Sequence, residues 1–440
     1  METFLIKAAQ LIAALALLVI IHEFGHFLWA RVFKIRVEKF YLFFNPWLTL
    51  AKWKPKNSDT EYGLGWLPLG GYVKIAGMID ESMDTEQMKS EPKPDEFRAK
   101  PAWQRLLVMT GGVLNNLILA FVIYVGIAWY WGEKSIPYEN YTEGFDFQTE
   151  AQALGFRNGD RILLIDGQKI DISDPGALMD MLDGCAVTVL RNGTDTVNIV
   201  LPKDAINHLN TEKPLLMPRV PVYVKKVMNG DPAAKAGLKE GDRIIAVGDS
   251  LTPSFTELSQ ALTAYAGKAT SVTYLRGNDT IVANTTPTSA GKLGFELESP
   301  LNVFKYNVKE YNFFEAIPAG VHNGTQMLVT YVGSLKYIFT KQGAQSIGGF
   351  GAIGSLFPPK WNWLSFWEMT AFLSIILAIM NLLPIPALDG GHVMFLLWEV
   401  VTRRKPSDKF LERAQIAGMF FLFALLIYAN FNDIYRFLIK

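Results

Sequence analysis

Cysteine is nearly absent from this 440-residue chain: Cys185 stands alone, which excludes an internal disulfide and any cysteine-rich zinc ribbon. Histidine is almost as scarce. With five in all, a zinc site built here has to complete itself with a carboxylate. Neither sign of charge is in excess, at 42 Lys+Arg against 42 Asp+Glu. The basic footprint of a nucleic-acid binder is therefore missing. What the chain has is apolar surface, since 50% of its residues are hydrophobic. Its length suggests roughly two to four units rather than one core.

The apolar residues gather in four stretches long enough to span a bilayer: about Phe4 to Ala30, Leu106 to Trp131, about Phe366 to Leu383 and about Ile416 to Phe437. Arg31, Lys34, Arg36 and Lys39 follow the first, and Arg98, Lys100 and Arg105 precede the second. Arg403, Arg404, Lys405, Lys409 and Arg413 lie between the third and fourth. These flanks place both loops in the cytoplasm and leave the termini and the segment from about 132 to 365 outside it. Trp129-Tyr130-Trp131 and Trp361, Trp363 and Trp367 suit the outer interface.

The first stretch ends in Ile-Ile-His-Glu-Phe-Gly-His-Phe, residues 20–27. His22 and His26 share one helical face, about 6 Å apart along the axis. That spacing lets two imidazoles grip one zinc, with Glu23 beside it as general base. Residues 1–21 also have the composition of a signal peptide, with Lys7 in its charged region. No small-residue cleavage pattern follows Ile21, however, and the apolar run resumes at Phe27. The third stretch ends in Asn381-Leu-Leu-Pro-Ile-Pro-Ala-Leu-Asp389-Gly-Gly-His392. Two prolines stop a helix there, and irregular backbone at membrane depth needs a cavity or a protein wall. Charge counting brings both motifs to the same leaflet, which makes Asp389 the anionic ligand.

Residues 40–80 read as a re-entrant or surface-lying hairpin or loop, punctuated by Gly63, Gly65, Gly70, Gly71 and Gly77. The run Tyr72-Val73-Lys74-Ile75 is either ordinary surface or an edge strand that holds substrate extended beside the metal. Residues 80–97, acidic and proline-containing, read as an exposed connection. In the second stretch, Gly111 and Gly112 permit close helix approach and Asn115 suits packing. Asn116 could instead orient a ligand or the substrate backbone. Leu154-Gly-Phe-Arg-Asn-Gly-Asp-Arg-Ile162 recurs as Ala236-Gly-Leu-Lys-Glu-Gly-Asp-Arg-Ile244, a shift of 241 − 159 = 82 residues. This repeat resembles two PDZ domains, and Lys292-Leu293-Gly294-Phe295-Glu296 resembles the PDZ carboxylate-binding loop. An amphipathic helix from about Asn312 to Phe339 suits the outer membrane surface. The glycine-rich turn at 346–351 has no reading.

Together, H-E-x-x-H and N-x-x-P-x-P-x-L-D-G-G resemble the site-2 protease family of intramembrane zinc metalloproteases. Leu67-Pro-Leu-Gly-Gly-Tyr-Val-Lys74, the tandem PDZ-like repeat and the four spans narrow the likeness to its bacterial sigma-E-regulating type. Two family motifs depart: Gly-Pro-x-x-Asn appears as Gly112-Val-Leu-Asn-Asn116, and a later Gly-Pro appears as Gly349-Phe350. The expected fold is a polytopic α-helical membrane protein of four transmembrane helices and a membrane-associated β-hairpin. Two extracytoplasmic PDZ (α+β) domains, 145–220 and 221–300, lie between membrane parts 1–131 and 301–440.

The expected chemistry is peptide-bond hydrolysis at Zn2+ held by His22, His26 and Asp389. Glu23 takes a proton from water and delivers it to the leaving amine. Asn381 binds the scissile carbonyl or substrate backbone, or else serves only as a helix end. His392 is expected behind the ligands or in packing. Tyr72, Val73, Lys74, Ile75 and Asn116 would hold substrate, and Leu293, Gly294 and Phe295 would take peptide C-termini. The resemblance implies single-span substrates in a bacterial inner membrane: an anti-sigma factor already trimmed outside, or signal-peptide remnants. A PDZ-based membrane adaptor would need no metal. A metal transporter would need a polar path through both leaflets, which the apolar first and third stretches do not offer.

Overall fold

The computed structural model describes residues 2–68, 70–78, 91–169, 175–210, 214–304 and 306–438. Leu69 and most of the acidic connection expected at 80–97 therefore lie outside the described residues. The chain divides into two compact units: 1–132 with 310–332 and 347–440, and 133–309 with 333–346.

The first unit is built on helices. Helix α1 (Glu2–Val32) and α2 (Ala102–Trp131) are followed by α3 (Phe313–Ser334) and α4 (Trp363–Leu382). Helices α5 (Asp389–Thr402) and α6 (Asp408–Leu438) complete the unit. Of these, α1, α2, α4 and residues Lys409–Tyr435 of α6 are long and apolar enough to cross a membrane. Helices α1, α2 and α6 run past the apolar stretches read from the sequence, because helical hydrogen bonding continues into the charged flanks; α6 begins eight residues before Ile416. In α1 the buried residues Gln10, Ala14, Leu18, His22, His26 and Ala30 recur every fourth position. They form one packed stripe on an otherwise apolar surface.

Between α1 and α2 the chain forms a four-stranded sheet: β1 (Val37–Leu42), β2 (Phe44–Trp53), β3 (Glu61–Leu67) and β4 (Tyr72–Ile75), in the order β2-β3-β1-β4. The sequence suggested a hairpin or loop. Instead β1 pairs in parallel with β3 and antiparallel with β4, so β4 is an edge. The glycines that read as breaks belong to the pairing: Gly63 sits inside β3 because the Tyr41 ring occupies the place of its side chain. Helix α3 meets α2 at Gly320 and Gly324, against Val125 and Phe121. The glycine-rich turn starts a short helix, Phe350–Ser355. Asp433 of α6 accepts from the N–H groups of Gly349 and Ala352, both at 3.0 Å.

The second unit holds the repeat. The strands at 161–165, 186–191 and 195–200 recur at 243–247, 270–276 and 279–285, each set over its own core. Gly-Asp repeats for a physical reason. Asp160 is buried, accepts from Arg157 N–H at 2.9 Å and from Arg191 at 2.9 and 2.7 Å. Asp242 is buried likewise, with Lys239 N–H at 2.7 Å and Arg276 at 2.9 and 2.8 Å. Arg219 links the copies, reaching Asp146 at 3.5 Å and Glu257 at 2.5 Å.

Candidate metal centre and active-site cavity

Helix α1 delivers both imidazoles because its hydrogen bonding runs unbroken through 22–26. Helix α4 stops after Leu382, where Leu383 is extended and Pro384 and Pro386 follow. Ala387 takes φ +83°, a conformation costly for a residue with a Cβ. Helix α5 then opens on Asp389. Gly390 and Gly391 leave room for the carbonyls of Leu382, Leu383 and Ile385 beneath that first turn.

The result is a tight triangle. Asp389 Oδ2 lies 3.1 Å from His22 Nε2 and 3.2 Å from His26 Nε2; the two Nε2 atoms are 3.2 Å apart. For a tetrahedral ion with bonds of about 2.0 Å, neighbouring ligand atoms stand about 3.3 Å apart, so the triangle matches one face of such a site. The donor set fits zinc as well. His26 Nδ1–H donates to Val108 O at 2.8 Å, leaving Nε2 with a free lone pair. Asp389 Oδ2 is buried without a hydrogen-bond donor among the described residues.

Helix α2 forms the back of the site. A Cβ on Gly112 would stand 2.5 Å from His26 Nε2 and 2.6 Å from His22 Cε1, and Gly111 and Gly25 touch backbone to backbone. Asn115 donates to Ile21 O at 3.4 Å, a packing contact. Asn116 is wholly buried, with its carboxamide 3.3 Å from His22 Nδ1, and it does not line the cavity. It supports the imidazole from behind. Among the described residues its oxygen has no partner; turned toward Nδ1–H, it would fix the tautomer that leaves Nε2 for a metal. Arg105, reaching Glu399 at 2.5 Å, ties α2 to α5 ten residues beyond Asp389.

In front of the triangle lies a cavity of about 530 Å³, lined by the three ligand residues, Glu23, Asn381 and all of β4. Asn381 holds its amide 3.3 Å from His22 Nε2. The N–H of Val73 faces the Glu23 carboxylate. Tyr72 donates to Asn45 Oδ1 at 3.1 Å and stacks on Tyr41, ring centres 5.3 Å apart. Lys74 lies 3.6 Å from Glu38. His392, expected in packing or behind the ligands, stands on the cavity wall. Asn45, Lys39 and Gln415 line the same space and were missed. They come from β1, β2 and α6, and no short motif marks them.

Leu293, Gly294 and Phe295 belong to the second unit and the metal-centre residues to the first. Leu293 O accepts from Ala233 N–H at 2.8 Å and Gly294 O from Met228 N–H at 3.0 Å. Phe295 opens the edge strand Phe295–Leu297. Asp231 lies against Gly294, which places a carboxylate beside this loop.

The family model described as peptidase family M50 matches residues 10–425. A Thermotoga maritima relative named as a zinc metalloprotease is 28% identical over 95% of this chain and 97% of its own. The Regulator of sigma E protease of Haemophilus influenzae is 26% identical over 99% of this chain and all of its own length. Among solved structures, the PDZ domain of the SdrC-like protein from Listeria monocytogenes is 24% identical. It covers 18% of this chain and 90% of its own, at a TM-score of 0.17. The family match takes in the metal triangle, Glu23, all of α2 and α4, most of α1 and the first part of α6. The chain belongs to peptidase family M50, the site-2 protease family, and is a metalloprotease.

Proposed function

We propose that this protein is an intramembrane zinc protease that hydrolyses a peptide bond within the transmembrane helix of single-span substrates. The observation that carries this reading is the meeting of His22, His26 and Asp389 with Glu23 in a cavity walled by an edge strand. When bound, zinc supplies the Lewis acidity that makes water a nucleophile near neutral pH. Glu23 accepts the proton of that water on its carboxylate and gives it to the leaving nitrogen. Once His22 Nε2 is committed to the metal it no longer accepts a hydrogen bond. The Asn381 amide is then left to donate to the scissile carbonyl.

A helical substrate hides its peptide bonds in its own hydrogen bonds and must unwind before attack. The outer edge of β4, the last strand of its sheet among the described residues, offers the replacement bonds. The four apolar helices support a bacterial inner-membrane location, with residues 132–365 and both termini extracytoplasmic by the charge of the short loops. The substrates that fit are an anti-sigma factor trimmed beforehand outside the membrane, in envelope stress signalling, or signal-peptide remnants. The repeat in the second unit would act as a PDZ pair, filtering by size or taking the new C-terminus. A metal analysis tests the core of this reading. Wild type should bind one zinc per chain, whereas Asp389→Ala, left with two imidazoles, should lose zinc and cleavage together. Full zinc in that variant would contradict the ligand assignment.

A further inference from the structure

Gln415 belongs to α6, one of the four long apolar helices, and it is 4% exposed. It lines the cavity that holds Glu23 and the three ligand residues. Among the described residues its carboxamide makes no hydrogen bond, yet its polar atoms are not sealed off; the cavity is what they face. Buried glutamine in apolar helices ordinarily bonds across to a neighbouring segment. Gln10 of α1 does so: it is wholly buried, and its amide donates to Pro358 O at 3.0 Å and Ile6 O at 3.3 Å. Gln415 has the same chemistry and leaves it unused. An unpaired carboxamide in such surroundings is costly unless something that enters the cavity satisfies it.

Its place is also fixed. Gly418, three residues on, shares the same helical face, and Pro386 O occupies the position its side chain would take. Helix α6 is therefore seated directly on the loop that carries Ala387, Leu388 and Asp389 to the cavity, and this seat holds Gln415 beside the reacting centre.

We propose that Gln415 is a substrate-binding residue whose carboxamide bonds the backbone N–H and C=O of the unwound substrate stretch. A carboxamide offers the same donor and acceptor as a peptide group. It can therefore replace the bonds lost on unwinding, whatever the substrate's side chains. Strand β4 offers backbone groups of the same kind from another wall. The inference rests on the reading of this cavity as a peptide-hydrolysing site.

The test uses the full chain with Glu23→Gln in lipid nanodiscs. The probe is a fluorescein-labelled synthetic helix of about 24 Leu and Ala residues, with lysines at both ends and a central Gly-Ser pair. Adding Gln415→Met, similar in size and compatible with an apolar helix, should weaken binding about tenfold with zinc content unchanged. Replacing in turn each peptide bond around the Gly-Ser pair by an ester removes one N–H. One of these probes should bind the Glu23→Gln parent more weakly, and the loss should vanish in the Gln415→Met background. Equal affinities with and without Gln415→Met overturn the proposal. So does a loss of zinc in step with the loss of binding, and so does a parent that binds no probe. Binding without any cleavage by the wild type would instead refute the proposed cleavage within transmembrane helices and leave the Gln415 result standing.

Discussion

Gly112 has no side chain, and the rings of His22 and His26 occupy the space one would need. Gly112→Ala should therefore displace the imidazoles, and zinc content should fall well below one per chain while circular dichroism keeps its helical signal. Asn116 is expected to act through His22. Asn116→Leu removes the polar partner that lies 3.3 Å from Nδ1, and zinc affinity should drop about 10–100-fold in a chelator competition. Such residues differ sharply in how legible they were. His22, Glu23 and His26 could be read because one helix turn holds all three. Asp389 could be read because two prolines and two glycines mark its loop. Asn45, Lys39, His392 and Gln415 enter the cavity through tertiary packing, and a buried glutamine in an apolar helix looks the same whether it packs or binds.

Strand β4 is the element on which substrate handling turns. Val73 N–H faces the Glu23 carboxylate, and a proline is tolerated in an edge strand when its missing N–H points outward. Val73→Pro should leave zinc bound and lower cleavage at least tenfold, as measured on a single-span substrate. Four strands arise where the sequence suggested a hairpin because β1 and β3 pair in parallel, a long-range choice that alternation along one strand does not encode. In the second unit the repeated Gly-Asp was legible, though its cause was not. Burial alone would raise the Asp242 carboxyl, but the Arg276 guanidinium and the Lys239 N–H outweigh it and hold it low. A carboxyl with a depressed folded pKa stabilises above its unfolded value of about 3.9, and that contribution is lost as pH falls through the folded value. Asp242→Asn should speed hydrogen exchange at the 243–247 strand amides at pH 7, and the excess over wild type should shrink in acid.

The molecule as a whole is two compact units, and the first closes on itself from three separate stretches of chain. Four apolar stretches announced its long helices because composition over about 20 residues suffices for that. The docking of the 346–351 turn onto Asp433 was not announced, since only folding brings positions so far apart together. Replacing residues 145–300 by a short flexible linker should leave zinc content intact. If the second unit filters by size, that variant should cut single-span substrates whose extracytoplasmic domains are still attached; precursors left uncut would refute the filter.

One metal, three ligands and one general base are proposed here to perform hydrolysis within the membrane. The most direct test compares wild type with Glu23→Gln on a tagged single-span substrate in proteoliposomes, with zinc measured in both. Equal zinc is expected, with a fall in cleavage of about 10²–10⁴-fold in the variant. Equal zinc with undiminished cleavage would remove Glu23 from the chemistry, and absence of zinc from both proteins would contradict the metal centre itself.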